Sequence, residues 1–147
     1  MAAFSIADQL MSQDSIEKAV EVLRNGGVVT CPTEGVFGLS CLPADAGAVQ
    51  RLLDIKQREA SKGLILIAAD REQLRDWIAV APEDIPEPDP AQAITWLVPA
   101  SAQVSELVRG VHPKVAVRIT SNPIANALCA AAESPLCLLY TSDAADD

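Results

Sequence analysis

Aromatic residues are scarce: two Phe, two Trp and one Tyr make up 3% of the 147 residues. Val, Ile, Leu and Ala must therefore fill any interior. With half the residues hydrophobic, a chain of this length buries a substantial core in one domain. Long apolar runs are missing as well. None approaches the roughly 20 residues that cross a bilayer, and MAAFSIADQL at the start has no basic lead and carries Asp8, a poor secretory signal. Basic residues are outnumbered 11 to 20, for a net charge of -9. That opposes a general nucleic-acid surface, which needs a basic face. The single histidine, His112, stands alone in a loop and is assigned no catalytic role. The four cysteines (Cys31, Cys41, Cys129, Cys137) form no CxxC pair and have no nearby His, which argues against zinc. They read as reduced thiols of a cytoplasmic protein, with a Cys31–Cys41 disulfide as the alternative.

Helix and strand signals alternate along the chain. Asp14 and Glu17 are spaced as a capping box, Ile16, Val20 and Leu23 share a helical face, and Gly26-Gly27 closes it. VVTC (28–31) reads as a buried strand stopped by Pro32, and Val36 to Cys41 as a second strand. Asp45 suits the cap of a helix carrying Val49, Leu52, Leu53 and Ile55, fraying by Ser61-Lys62-Gly63. LILIAA (64–69) is apolar throughout, as in a central strand covered on both faces. Asp70 is expected to cap a helix REQLRDWI, and APEDIPEPDP (81–90), with four prolines and four acids, must be a loop. ITWLV (94–98) and VAVRI (115–119) read as strands around a short helical stretch at Val104 to Val108. Asn122-Pro123 opens a last helix through about Ala131. The pattern predicts an α/β sheet with flanking helices.

Five of the 11 bases fall in two short segments: Lys56, Arg58 and Lys62, then Lys114 and Arg118. Arg58 and Lys62 are one helical turn apart. So many cations repel one another unless neutralised. Asp54 and Glu59 on a solvated face would do so, and so would a polyphosphate, onto which Arg forks and Lys supplies a point charge. Arg118 alternates with Val115 and Val117 and so points away from their face; in an apolar strand it needs a partner, an internal acid or a ligand carboxylate. Pro32-Thr33-Glu34 sets polar groups at a strand's carboxyl end, where α/β folds commonly bind ligands, although a plain turn explains it as well.

The run CPTEGVFGLSCLPADAGAVQRLLDIKQREASKGLILIAA, followed by ITWLVPAS and KVAVRIT in that order, closely resembles the YrdC/Sua5 family, most of all its short bacterial threonylcarbamoyl-AMP synthases. The likeness spans roughly residues 14 to 136. It implies a twisted, mostly mixed β-sheet with flanking helices and a cationic cavity. It also implies a reaction: L-threonine, bicarbonate and ATP give threonylcarbamoyl-AMP and pyrophosphate, with Mg²⁺ carried by the ATP phosphates. By resemblance Thr33 and Arg118 bind threonine, while Lys56, Arg58, Lys62 and Lys114 bind ATP. No residue is assigned as acid or base. The product would pass to a separate tRNA threonylcarbamoyl transferase complex, the adenosine at tRNA position 37 being the target. The rival readings are an RNA-binding module of the same family without synthase activity, and a carbamoyl-transfer or sugar-phosphate enzyme sharing the fold.

Two departures stand out. Asp89-Pro90-Ala91-Gln92-Ala93 occupies the place of a Trp-Pro-Gly-Pro-like turn. After Ser134-Pro135-Leu136 the family continues into Ser-Thr-Ser-Ala-Asn, whereas this chain reads CLLYTSDAADD. Leu138 and Tyr140 thus stand about where substrate-contacting serines belong. Cys137 to Asp146 also translates one frame of a transposase sequencing adapter. The expectation is a partial domain over 1–136 with a non-native tail over 137–147, a fold incomplete at its C-terminus, a missing sheet strand with an exposed edge, and impaired catalysis.

Overall fold

The computed structural model describes residues 3–5, 13–32, 37–56, 64–87, 94–110 and 112–140. Strands β1 (Ala3–Ser5), β2 (Val28–Pro32), β3 (Phe37–Cys41), β4 (Ile65–Ala68), β5 (Trp96–Pro99), β6 (Lys114–Ile119) and β7 (Leu136–Tyr140) form one seven-stranded sheet in the order β1-β2-β3-β7-β4-β6-β5. It is mixed: β1 with β2 and β4 with β6 are parallel, and the other pairs are antiparallel. The helices are α1 (Gln13–Arg24), α2 (Ala46–Lys56), α3 (Glu106–Arg109) and α4 (Pro123–Ala132).

Strand alternation divides the core in two. On one face Val28, Cys41, Leu66, Val117, Cys137 and Leu139 pack against Val49, Leu52 and Leu53 of α2 and Val108 of α3. On the other, Val29, Cys31, Ile67, Leu136 and Leu138 meet Ile16, Ala19 and Leu23 of α1 and Leu128 and Cys129 of α4. Each fully buried Leu contributes about 1.5–3 kcal/mol. Helix caps follow the local sequence. Asp45 Oδ1 accepts from Ala48 N–H at 3.0 Å, and Asn122 Oδ1 accepts from Ile124 and Ala125 N–H at 3.0 and 3.1 Å, with Pro123 in the first turn.

Several expectations need correction. The strand thought missing after Leu136 is present: β7 lies between β3 and β4, pairing Cys137 with Cys41 and Leu138 with Ile65. Residues 136 to 139 are buried, because an unbroken apolar run suits a central slot covered on both faces; residues 141–147 lie outside the described part. The helix expected after Asp70 shrinks to a single 3-10 turn, Arg71–Leu74. Its cap does form, Gln73 N–H donating to Asp70 Oδ1 at 3.1 Å. Helix α1 begins at Gln13, so Asp14 lies within the first turn and not at a cap. The Cys31–Cys41 disulfide is excluded, since the two thiols face opposite sides of the sheet and all four cysteines are free. β1 had no counterpart in the sequence reading. Among the described residues no helix is long and apolar enough to cross a membrane.

Candidate functional site

The alternating directions of the strands gather several chain segments at one edge of the sheet. Pro32 and Phe37, paired across β2 and β3, stand at the same edge as the start of β4 and the Lys114–Pro99 pair of β6 and β5. Thr33, Arg58 and Lys62 all lie outside the described residues. Lys56 closes α2, and its side chain lies outside them too. The two remaining candidates are described. Lys114 is the exposed first residue of β6, and Arg118 lies four residues on.

Period-two alternation puts Lys114, Ala116 and Arg118 on one face of β6, opposite Val115 and Val117. This is the face that α1 and α4 cover over β2 and β4. Over β5 and β6 it is open, for Leu97, the register partner of Ala116, is 69% exposed. Arg118 is only 9% exposed, a burial that costs heavily without polar partners. Its Nε and Nη2 both donate to Thr95 Oγ1, at 3.0 and 2.9 Å. One hydroxyl thus holds two donors of the fork and fixes the plane of the guanidinium at the border of the open face.

Thr95 escaped the sequence reading. It was one residue of a strand, and only the antiparallel register that pairs Trp96 with Val117 sets it beside Arg118. Hydrogen bonds hold the neighbouring strand ends. Thr120 N–H donates to Ala68 O at 3.0 Å, Asn126 Nδ2 donates to Ala69 O at 3.0 Å, and Asn122 N–H donates to Thr120 Oγ1 at 3.1 Å.

Leu138, on the same face, is 1% exposed and packs over Gly38. A methyl group on Gly38 would overlap Leu138 Cδ1 and lie 3.2 Å from its Cγ and 3.3 Å from Leu139 O. The glycine of the VFG motif is thus required for close strand approach. Ser40, the partner of Leu138 across β3, gives its hydroxyl to Val29 O at 2.9 Å.

The thiols form two buried pairs. Cys41 and Cys137 face each other across β3 and β7, and the hydrogen bond between them, with burial, pushes Cys137 well above the usual thiol range. Burial, with Cys31 beside it, pushes Cys129 up as well; its Sγ donates to Ile67 O at 3.6 Å. Free and buried, all four are packing groups. Among the described residues no trio of His, Cys, Asp or Glu is placed to hold a metal ion.

A family profile described as Sua5/YciO/YrdC, telomere recombination, matches residues 21–146. The chain belongs to the Sua5/YciO/YrdC family. Among Sua5/YciO/YrdC relatives, the threonylcarbamoyl-AMP synthases of Chromohalobacter salexigens and Vibrio parahaemolyticus are each 43% identical over 131 residues, 84% of this chain and 68% and 69% of theirs. The solved structure of P. abyssi Sua5 complexed with L-threonine superposes with a TM-score of 0.80 at 28% identity. It covers 95% of this chain, which in turn spans only 42% of that protein. E. coli YciO gives a TM-score of 0.74 at 26% identity over 94% of this chain and 68% of its own. The Sua5/YciO/YrdC fold expected from the motifs is the fold observed: a mixed sheet with helices on both faces.

Proposed function

We propose that this chain is built to form threonylcarbamoyl-AMP from L-threonine, bicarbonate and ATP. The threonine amine takes up the carbon of bicarbonate with loss of water, giving N-carboxythreonine. A carboxylate oxygen of that adduct attacks the α-phosphorus of ATP. A new P–O bond forms as the bond to pyrophosphate breaks, and pyrophosphate leaves with the electron pair. No side chain need form a covalent bond, so positioning and charge neutralisation carry the rate.

The supporting observation is Arg118, a nearly buried guanidinium held by Thr95 at the border of the open sheet face. It suits the threonine carboxylate, and Thr33 is assigned to threonine by the family motif. Lys56, Arg58, Lys62 and Lys114 are assigned to the ATP phosphates. Any Mg²⁺ would arrive on those phosphates, neutralising their charge. We place the reaction in the cytoplasm, its product passing to a tRNA threonylcarbamoyl transferase complex. Leu138 brings an apolar side chain where the family resemblance implies a hydroxyl, and we therefore expect slow turnover.

Calorimetric titration of threonine, with ATP and bicarbonate present, tests this. Arg118→Met should weaken threonine binding about 10- to 100-fold, the loss of a charged hydrogen-bonded pair. Arg118→Lys should recover little of it, because an ammonium has no fork. Equal threonine affinity in the parent chain and Arg118→Met would refute the assignment. Salt-sensitive RNA binding with no threonine-dependent nucleotide binding would instead favour the RNA module.

A further inference from the structure

Two arginines of this chain are gripped in the same way by different kinds of partner. Arg75 gives Nε and Nη2 to Glu72 Oε1 at 3.0 and 2.9 Å, and Nη2 also to Oε2 at 2.7 Å. Arg118 gives the same two nitrogens to Thr95 Oγ1, again at 3.0 and 2.9 Å. The first grip closes on an anion and makes a surface ion pair. The second is made by a neutral oxygen, so the grip itself sets no negative charge against an arriving carboxylate.

The position of Thr95 follows from strand register. β5 and β6 pair Trp96 with Val117 and Leu97 with Ala116, so Thr95 is the next residue in step, opposite Arg118. Side chains directly opposite each other share a face of the sheet, here the face that Leu97 leaves open. Thr95 is exposed, whereas Arg118 is only 9% exposed. The hydroxyl is therefore the more accessible member of the pair. A threonine hydroxyl has two acceptor lone pairs and one proton. Arg118 takes both lone pairs, which turns the O–H away from the guanidinium and able to donate to an anion.

We infer that Thr95 serves the threonine subsite twice, orienting the Arg118 fork and donating its hydroxyl proton to the carboxylate that Arg118 binds. The inference rests on the reading proposed above and adds Thr95 to its residues. The gain is preorganisation, because an arginine already held in place loses little side-chain freedom when a ligand arrives. Position 95 then needs an acceptor for the fork and a donor for the ligand in one small group. Thr and Ser supply both; Val supplies neither, and Asp supplies only the acceptor.

Calorimetric titration of L-threonine into the full chain, with ATP and bicarbonate present, is the test, alongside titration of ATP alone. Thr95→Val keeps the shape of the side chain and should weaken threonine binding about tenfold, the loss of hydrogen bonds to charged groups. Its ATP affinity should be unchanged. Thr95→Ser should recover most of the loss. Thr95→Asp keeps an acceptor for Arg118 and so guards against a variant that does not fold; its carboxylate should weaken threonine binding at least as much, by repulsion. In the ligand-free chain the Nε–H of Arg118, followed by NMR, should exchange with water more slowly in the parent and Thr95→Ser than in Thr95→Val. Parent-like threonine affinity in Thr95→Val or Thr95→Asp overturns the inference. So does an equal loss of threonine and ATP affinity, or a Thr95→Ser no better than Thr95→Val. If the parent binds threonine and Thr95→Val matches it, only this inference fails. If the parent binds no threonine, the synthase reading fails. Slower Nε–H exchange in the parent than in Thr95→Val then upholds the grip of Thr95 on Arg118, and equal exchange overturns it.

Discussion

Gly38→Ala probes the docking of β7, the strand on which the completeness of the sheet depends. In an isolated strand the change is mildly stabilising, since glycine costs about 0.5–1 kcal/mol relative to Ala. With β7 in place the added methyl overlaps Leu138 Cδ1 and closes to 3.2 Å on Cγ. Leu138 is 1% exposed and packed in the cluster beneath α1 and α4, so it has little room to retreat. Overpacking of this kind costs about 1–3 kcal/mol. Net of the glycine term, the loss is centred on about 1 kcal/mol, with a ceiling of about 2.5 kcal/mol. With a urea m-value of about 1–3 kcal/mol/M, a loss of about 1 kcal/mol lowers the midpoint by about 0.3–1 M. Leu138→Ala alone should cost about 2–5 kcal/mol through the cavity it leaves. In the double variant the methyl added at position 38 gains space, so the two losses should fall short of additive by about 1 kcal/mol or more. Urea unfolding of the four proteins closes the cycle. A raised midpoint for Gly38→Ala, or strict additivity, would show that Leu138 does not lie on Gly38 and that the β7 register is wrong.

Asn122→Ala removes the acceptor of two first-turn N–H groups and should cost about 1 kcal/mol, read as a lowered Tm; an unchanged Tm would mean the cap contributes nothing. The buried thiols Cys129 and Cys137 keep their protons to higher pH when folded than when unfolded. Their contribution to stability is therefore complete below the ordinary thiol range, about pH 8.5, and is lost as pH rises above it. Cys129→Ala should flatten the alkaline fall in urea midpoint, and an unaltered slope would contradict the assigned shift. A thiol reagent at pH 8 should label Cys129 only as the chain unfolds, whereas prompt labelling of the native protein would show that α4 does not seal it.

The elements were legible where local physics decides. Asp45 and Asn122 announce helix starts because a side-chain oxygen can cap only nearby N–H groups, and the unbroken LILIAA run announces a strand covered on both faces. Arg118 was legible too, because period-two alternation alone sets it opposite Val115 and Val117. Residues 71–78 read as a helix, yet only Arg71–Leu74 form a 3-10 turn, and Leu74 within it and Ile78 beyond it still reach the core. Apolar spacing records which residues are buried more faithfully than how the backbone turns between them.

By itself the sequence determined the alternation of helices and strands, the two-faced burial of the central strand β4 and the family motif, all of which depend on neighbours within a few residues. Only the tertiary structure decided that β7 enters between β3 and β4, that Thr95 meets Arg118, and that the cysteines pair as 41 with 137 and 31 with 129. Those outcomes join segments far apart in the chain, and strand order and register come from competition among whole apolar faces, which no local spacing encodes.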